Sequence, residues 1–397
     1  MPAQVAGGTG MAQYPGTSLT GIASPLDTCQ PLDADDQLGR IVGQIHEYQV
    51  PPSVSDAIDR LYGSLYASSR FQRVCDPSAL PHVWVAYQRG DIVGALLFRT
   101  ETSRIQVLSE MFMLDSDIAA AFCRDVFGRY QEAREINFNA ICLPARLPRL
   151  VCQHFAFSEN YVLELPASVG EYEQSLGKST RKTLRGYGNR LLREHPHFVW
   201  RSGSCSTLSP QAQQALVRQL QVFKCESMAA RGRQAKADAR ETAQLLRMTA
   251  ECGWFGMGTV DGKLCAGSLA LRIGENYVMM LCAADPAYSS YRLGLLACYW
   301  SLCDCIRQGG RQCHLLWGRY RYKEQLLAAP IPLHRLRVYR SRWQMLCRPF
   351  SVTGMAASSL LHRCRSWWLD VLPEQLARQE WLVRGVRHLL RQPEPNK

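Results

Sequence analysis

The sequence predicts an α+β fold with a mixed central sheet, built from two similar halves and followed by a basic helical tail. Three observations support this class. Two hairpin patterns resemble each other, a strand, loop, helix, strand succession follows the second hairpin, and 47% hydrophobic residues in a chain of 397 supply a sizeable core. Such a succession after antiparallel strands implies a βαβ crossover within the sheet.

The first 40 residues are expected to form a disordered leader, because Gly, Ser, Thr, Ala and Pro dominate them without periodicity. The opening residues MPAQVAGGTG lack the basic start and apolar core of a secretory signal. No stretch approaches the ~20 uninterrupted apolar residues that a membrane span requires. We therefore expect a cytoplasmic protein.

Two segments predict β-hairpins, and a short helical pattern at residues 56–66 precedes the first. Each has an aromatic strand, a turn with glycine, and a second strand entered through Gly94 or Gly267. Internal duplication is the economical interpretation, and a chance match is the alternative. The predicted strands are residues 83–87 with 92–98, and residues 254–260 with 264–271.

The junction between the next strand and helix is the first candidate site. The strand is predicted at 276–283, a turn at 285–288, a helix at 294–308 that Gly309 and Gly310 end, and another strand at 313–317. The first N–H groups of a helix lack intrahelical partners and carry partial positive charge, so an anion fits there. Arg292 would add a charge, and Gly294 would admit a phosphate close to the backbone. The alternative is an ordinary helix-start glycine beside a solvated arginine.

Two further segments concentrate positive charge. Ser168 and Glu171 predict a capping box that opens an amphipathic helix, whose basic face is either solvated or the wall of an anion site. Its cations are Lys178, Arg181, Lys182, Arg185 and Arg193, opposite Leu176, Leu184, Tyr187 and Leu191. The loop WGRYRYK at 317–323 offers tyrosine hydroxyls and cations that can donate protons or hold anions, unless it is simply an exposed basic loop.

The sixteen cysteines are scattered through apolar segments, which is typical of reduced, buried thiols. The cluster Cys303, Cys305, Cys313 and His314 lacks a CxxC pair, and residues 303 and 305 would point about 200° apart on a helix, so we expect no metal site. The formal charge is +12, with an excess of eight in residues 331–397. Such a surface favours an anionic partner, for example a CoA phosphate, nucleic acid or an acidic membrane.

Four segments, in order, resemble the GNAT-fold acyltransferases grouped with the CelD/BcsL proteins of cellulose biosynthesis, which are relatives of the FemAB peptidyl transferases. They are STRKTLRGYGNRLL, GWFGMGTVDGKLCAGSLALRIGENYVMM, DPAYSSYRLGLLA and WGRYRYKEQL, within residues 165–330. The resemblance implies tandem GNAT-like halves. We place an N-terminal half at 41–165, a C-terminal acyltransferase domain at 166–335, and a basic helical tail at 336–397.

The resemblance also implies an acyl-CoA donor, acetyl-CoA or longer, lying between the central strands and needing no metal. The cofactor residues would be Tyr291, Arg292, Leu293, Gly294 and Leu295 around the pyrophosphate, with Cys282 in the strand whose N–H groups face the thioester carbonyl. Glu226 would deprotonate an acceptor amine and Tyr322 would protonate the thiolate. Lys178, Arg181, Arg319 and Lys323 would bind acceptor or phosphate. The acceptor would be a small molecule or saccharide of polysaccharide or envelope biosynthesis.

Two other functions stay open. A FemAB-like transferase would take its aminoacyl group from charged tRNA, for which the basic helix would be convenient. A non-catalytic scaffold is the other, because the chain has Arg292-Leu293-Gly294 where the family often has a Ser-Pro-Gly-like step. In residues 361–397, tryptophans and leucines alternate with arginines, which predicts either peripheral membrane contact or a helix packed on the domain.

Overall fold

The computed structural model describes residues 40–78, 80–143, 150–230 and 238–346. The expected leader before residue 40 and the expected tail beyond residue 346 lie outside the described residues. The strands are β1 Val42–His46, β2 His82–Gln88, β3 Asp91–Glu101, β4 Arg104–Val107, β5 Glu135–Ile141, β6 Cys152–Glu164, β7 Val199–Ser204, β8 Gly253–Val260, β9 Lys263–Ile273, β10 Asn276–Ala284, β11 Gln312–His314 and β12 Ala329–Tyr339. The helices are α1 Pro52–Tyr62, α2 Ser69–Cys75, α3 Ser116–Arg129, α4 Val169–Ser175, α5 Lys178–Glu194, α6 Pro210–Ala229, α7 Ala239–Cys252, α8 Leu293–Arg307, α9 Arg321–Gln325 and α10 Arg342–Leu346.

All twelve strands belong to one mixed sheet in the order β1-β2-β3-β4-β5-β12-β6-β11-β10-β9-β8-β7. Neighbours pair antiparallel except β4 with β5 and β10 with β11, which are parallel. Each parallel pair is joined by one crossover helix, α3 or α8. The succession from β1 to β6, with two helices after the first strand, recurs from β7 to β12. The predicted mixed sheet, βαβ crossover and duplication are confirmed.

The two hairpins share a turn conformation and a register shift that a hairpin does not need in order to form. Both turn on two residues with positive φ, Arg89 and Gly90 at 54° and 85°, and Asp261 and Gly262 at 50° and 76°. This is the left-handed geometry that favours a tight hairpin. In both, the register shifts by one residue after the second pair from the turn. The same irregularity at the same place supports duplication.

The two halves exchange a strand at the centre of the sheet. β6 follows β5 along the chain but pairs with β11, while β12 follows β11 and pairs with β5. β6 and β12 also pair with each other along most of their length. The predicted boundary at residue 335 therefore lies inside β12, whose Leu336 and Val338 pack in the core of the first half. The second half has its own core around Tyr277, Leu296 and Leu302.

Three predicted elements differ from the structure. The side chain of Ser168 does accept from the N–H of Glu171 at 3.2 Å, but that helix ends at Ser175, and α5 starts separately because the backbone is extended at Leu176. The helix predicted at 56–66 is α1 at 52–62 followed by a short turn at 65–67. The strand predicted at 313–317 ends at residue 314. The cysteines of the described part are free thiols, most of them buried.

Candidate functional site

A gap between β10 and β11 is the central feature of the second half. The two strands are paired only from Asn276 with Gln312 to Val278 with His314, although β10 continues to Ala284. Beyond His314 the chain stays paired with β6 but no longer with β10, and the N–H of Leu315 donates to the carbonyl of Tyr161 at 2.7 Å. The predicted strand at 313–317 is short for this reason. Half of β10 thus faces the gap without a ladder partner on that side among the described residues.

The equivalent place in the first half is closed. Past the ends of β4 and β5, the N–H of Met111 donates to Ala140 at 2.8 Å, that of Cys142 to Phe112 at 2.9 Å, and that of Leu114 to Cys142 at 3.0 Å. Backbone pairing therefore continues where the second half separates. A ligand cannot pass between these two strands without breaking hydrogen bonds.

The crossover helices differ in the same sense. The carboxylate of Asp115 caps α3 and accepts from the N–H groups of Asp117 and Ile118 at 2.8 and 3.1 Å. No side chain caps α8, which begins after Arg292 in a left-handed conformation with φ 48°. Within the described part of the chain, nothing accepts from the N–H of Leu293 or Gly294. The N-terminus of α8 can therefore accept an anion, whereas the Asp115 carboxylate would repel one at the N-terminus of α3.

The loop before α8 is held against the end of α5. Tyr291 is 9% exposed and its hydroxyl donates to Glu194 at 2.6 Å, while Arg190 donates to the same carboxylate at 2.9 Å. These bonds lower the pKa of Glu194 to about 2, so the carboxylate stays ionised. The Arg292 guanidinium lies over the Tyr187 ring, 5.4 Å from its centre. Arg292 therefore brings positive charge to the α8 N-terminus, whereas the charge of Arg190 is balanced by that of Glu194.

The predicted cofactor residues come together here, but with different roles. Gly294 is exposed, and a Cβ there would meet only the Ala284 methyl at 4.0 Å. The side chain of Leu293 is buried at 1% exposure, so only its backbone can reach a ligand, and Leu295 is half-buried. Cys282 lies on β10 with its sulfur 3.9 Å from the carbonyl oxygen of Gly294. The strand and the helix thus meet at the predicted loop.

Lys323 is buried, whereas the sequence predicts a cation that binds acceptor or phosphate. It is 2% exposed, and its ammonium donates to the carbonyls of Leu316 and Trp317 at 3.0 and 2.8 Å. It also lies over the Tyr161 ring at 4.9 Å. Burial lowers the pKa of Lys323 to about 8. This lysine fixes the segment just past β11, at the edge of the gap.

The other predicted residues are more dispersed. Tyr322 is half-buried and its ring stacks on Tyr320 at 6.0 Å, and Arg319 pairs with Glu324 at 3.7 Å on the surface. Glu226 is exposed on the last turn of α6. Lys178 is exposed at the start of α5, and Arg181 lines a cleft of about 210 Å³ between α5 and α8. The structure brings Tyr322, Arg319 and Lys323 into one segment but shows no contact between them and Glu226.

Two sets of polar residues near the gap were not predicted as site residues. Asn160 and His314 are buried and their side chains lie 2.8 Å apart. Tyr66 and Glu110 of the first half reach the same region, since the Tyr66 ring lies 6.2 Å from Trp317 and the N–H of Glu110 donates to the carbonyl of Tyr66 at 3.2 Å. Burial raises the pKa of Glu110. The sequence signal for the Asn160–His314 pair was an asparagine and a histidine inside otherwise apolar strands.

Residues 178–324 match the family model described as an acetyltransferase (GNAT) domain. The chain has a GNAT-domain acetyltransferase fold. The crystal structure of FemX superposes with a TM-score of 0.57 at 9% identity, over 74% of this chain and 96% of that chain. This likeness covers both halves, as expected for a tandem GNAT fold.

Two further solved structures are less similar. The C-terminal domain of a putative lysylphosphatidylglycerol synthetase from Agrobacterium fabrum gives a TM-score of 0.46 at 14% identity, over 74% of this chain and 93% of that chain. A tandem GNAT protein from the clavulanic acid biosynthesis pathway gives 0.38 at 10%, over 75% and 98%. No curated protein matches the chain in sequence.

Within the described ranges, no helix has the length and apolar character needed to cross a membrane. The same residues contain no group of His, Cys, Asp and Glu side chains arranged to hold a metal ion. Cys303, Cys305 and Cys313 of the cluster considered above are each buried in the core of the second GNAT half.

Proposed function

We propose that this protein is an acyl-CoA-dependent acyltransferase whose GNAT domain in the second half holds the donor. The observation that carries the proposal is the uncapped N-terminus of α8, which opens directly onto the gap between β10 and β11. The free N–H groups of Leu293 and Gly294 and the charge of Arg292 suit a pyrophosphate. The unpaired edge of β10 suits the arm that carries the thioester.

The proposed reaction is direct transfer to an amine, or to a hydroxyl. The nucleophile attacks the thioester carbon, loses its proton to Glu226 or to water, and forms the new bond as the carbon–sulfur bond breaks. Tyr322 protonates the departing thiolate. Binding both reactants in one site supplies much of the acceleration. The acceptor would enter at the junction of the halves, where Tyr66 and Trp317 meet.

Acceptor class is proposed from the resemblance of the four segments to CelD/BcsL proteins, which favours a saccharide or small molecule of polysaccharide or envelope biosynthesis. Several cations in different parts of the second half would contact the anionic groups of the substrates. Arg319 is exposed beside the gap, and Lys178 and Arg181 lie on α5, whereas Lys323 supports the loop from inside. A cytoplasmic location, with residues 361–397 reaching the membrane surface, is part of the same proposal.

Calorimetric titration with CoA, acetyl-CoA and longer acyl-CoAs tests the donor. Gly294→Asp should weaken binding by about 100-fold, because a carboxylate then occupies the place of the phosphate. The fold should survive, since an acidic residue in the first turn of a helix is favourable. Gly170→Asp is the matched control, because Gly170 is likewise the exposed second residue of a helix, α4, and a Cβ there would meet only Ser168 Oγ at 3.9 Å. Absence of CoA binding by the unmodified protein overturns the proposal.

A FemAB-like transferase that uses aminoacyl-tRNA is the second candidate. The exposed cations Lys178, Lys182, Arg185 and Arg193 on α5 favour it. Titration with tRNA at increasing salt distinguishes the two, because phosphate contacts weaken steeply as counterion concentration rises. Salt-sensitive tRNA binding without CoA binding supports the second candidate. Tight CoA binding that Gly294→Asp weakens as expected above supports the first.

A further inference from the structure

Asn160 and His314 form a buried polar pair that the proposed reaction does not yet use. They lie on β6 and β11, are 3% and 8% exposed, and place Asn160 Nδ2 2.8 Å from His314 Nδ1. Oδ1 of Asn160 and Nε2 of His314 have no hydrogen-bond partner among the described residues. An unsatisfied buried polar group costs about 1–3 kcal/mol. The unpaired Nε2 of His314 therefore indicates a place that can receive a polar group from elsewhere.

The position of His314 indicates which group this is. His314 is the last residue of β11 that pairs with β10, so it stands where the gap begins. From its partner Val278 to Ala284, β10 rises about 20 Å toward the N-terminus of α8. A donor with its phosphates at α8 and its arm extended along β10 therefore brings its thioester toward His314. This step rests on the proposed function.

The chemistry of the pair suits a carbonyl oxygen. Burial lowers the pKa of His314 to about 4, so the imidazole is neutral near pH 7 and carries one N–H. The Asn160 amide group donates to Nδ1, which leaves the proton on Nε2, the atom without a partner. A neutral imidazole can polarise a carbonyl without the cost of a buried charge.

We propose that His314 is a catalytic residue that donates its Nε2–H to the acyl carbonyl oxygen of the donor, and that Asn160 is a positioning residue that fixes the tautomer. Negative charge develops on this oxygen as the acceptor attacks. A donor already in place stabilises that charge without reorganisation. The proton stays on Nε2 throughout, so the proposal adds no proton transfer to the reaction.

Infrared spectroscopy of bound acetyl-CoA labelled with carbon-13 at the carbonyl tests this with the full chain and needs no acceptor. The carbonyl stretch should shift to lower frequency on binding. The shift should vanish in His314→Leu, which removes the N–H, and persist in His314→Gln, whose amide can place an N–H near the same point. Affinity for CoA itself, which lacks the acyl group, should change less than about twofold in both, because the phosphate site is distant.

Nitrogen-15 NMR of the imidazole gives a readout of the positioning role. The proton should reside on Nε2 in the unmodified protein and should distribute between both nitrogens in Asn160→Leu. If acetyl-CoA binds and its carbonyl frequency equals that of the free molecule, the inference is wrong while the proposed donor site stands. An equal shift in His314→Leu also overturns it. If CoA does not bind at all, the proposed function fails first.

Discussion

The two halves of this molecule have the same order of strands and helices but differ at their parallel strand pairs. In the first half, Met111, Leu114 and Cys142 continue the backbone pairing past β4 and β5, and Asp115 caps the crossover helix. In the second half, pairing stops at Val278 and His314, and the crossover helix is uncapped. The scaffold is thus shared, whereas among the described residues the uncapped crossover helix beside an open gap occurs in the second half.

The difference lies in a small number of residues on a shared fold. Asp117 occupies the second position of α3, where Gly294 stands in α8. An acid at this position would repel a phosphate that a glycine would admit. The first half instead contributes Tyr66 and Glu110 to the junction with the second. One copy would bind the donor and the other would help to form the acceptor side.

Separation of the halves should have the largest effect. Each half lacks one of its own strands, because β12 completes the first and β6 completes the second. Residues 1–166 and 167–397 produced alone should therefore fail to fold, since each exposes an unpaired strand and an open core. Co-expressed, they should copurify as one complex with the circular dichroism spectrum of the intact chain.

Copurification is the decisive readout, because only the complex restores the pairing of β12 with β5 and of β6 with β11. Cooperative unfolding of either isolated half would contradict the view that the exchanged strands join the halves into one folding unit.

Lys323 should have the next largest effect, on the pH dependence of stability. Its pKa is about 8 in the folded protein and 10.5 ordinarily, so between these values the unfolded chain binds more protons. The free energy of unfolding should therefore rise with pH across this window, by up to about 3 kcal/mol. Lys323→Met removes this contribution. Urea unfolding at pH 7 and pH 10 should show the unmodified protein gaining stability relative to the variant.

The exposed Lys224 on α6 supplies a control for charge alone. Lys224→Met should leave the difference between pH 7 and pH 10 unchanged, because its ammonium is solvated in both states. If the free energy of unfolding changes equally between pH 7 and pH 10 in the unmodified protein and in Lys323→Met, burial does not set the protonation of Lys323. From the sequence, Lys323 was predicted to bind acceptor or phosphate, and its burial was not expected.

Local patterns predicted much of the fold. The hairpins, β10, α8 and the stop at Gly309 follow from apolar periodicity and turn residues, which act over a few neighbours. The strand exchange was not predicted because its strands lack such patterns. β12 begins with Pro330 and Pro332 and alternates arginines with apolar residues, so it was assigned in part to a basic tail. Its place is decided by partners far away in the sequence.

The site also contains one part that local sequence predicts and another that depends on distant contacts. The loop at Gly294 was predicted from a strand, a loop and a helix that are adjacent in the sequence. The burial of Lys323 under Tyr161 and the contact of His314 with Asn160 join residues more than 150 positions apart. A single sequence does not reveal which distant residues meet, and the cations of WGRYRYK were therefore predicted to bind acceptor or phosphate. Long-range packing converts one of its cations into an internal support.

The smallest expected effect separates charge from backbone strain at the start of α8. Arg292 has φ 48°, a conformation that costs a non-glycine residue about 1 kcal/mol. Arg292→Gly relieves this strain while the unfolded chain gains freedom, so the free energy of unfolding should change by less than about 1 kcal/mol. The loss of one positive charge should weaken CoA binding about fivefold to tenfold in calorimetry.

Arg89 in the turn between β2 and β3 provides a control in the first half, because it is also an arginine with positive φ, at 54°. Arg89→Gly removes the same side chain from the same backbone conformation, so its effect on stability should be similar and CoA affinity should be unaltered. If both variants weaken binding equally, the ligand responds to the net positive charge of the protein and not to Arg292 in particular. If neither does, the N–H groups of Leu293 and Gly294 hold the phosphate without help from Arg292, and the gap itself makes the halves different.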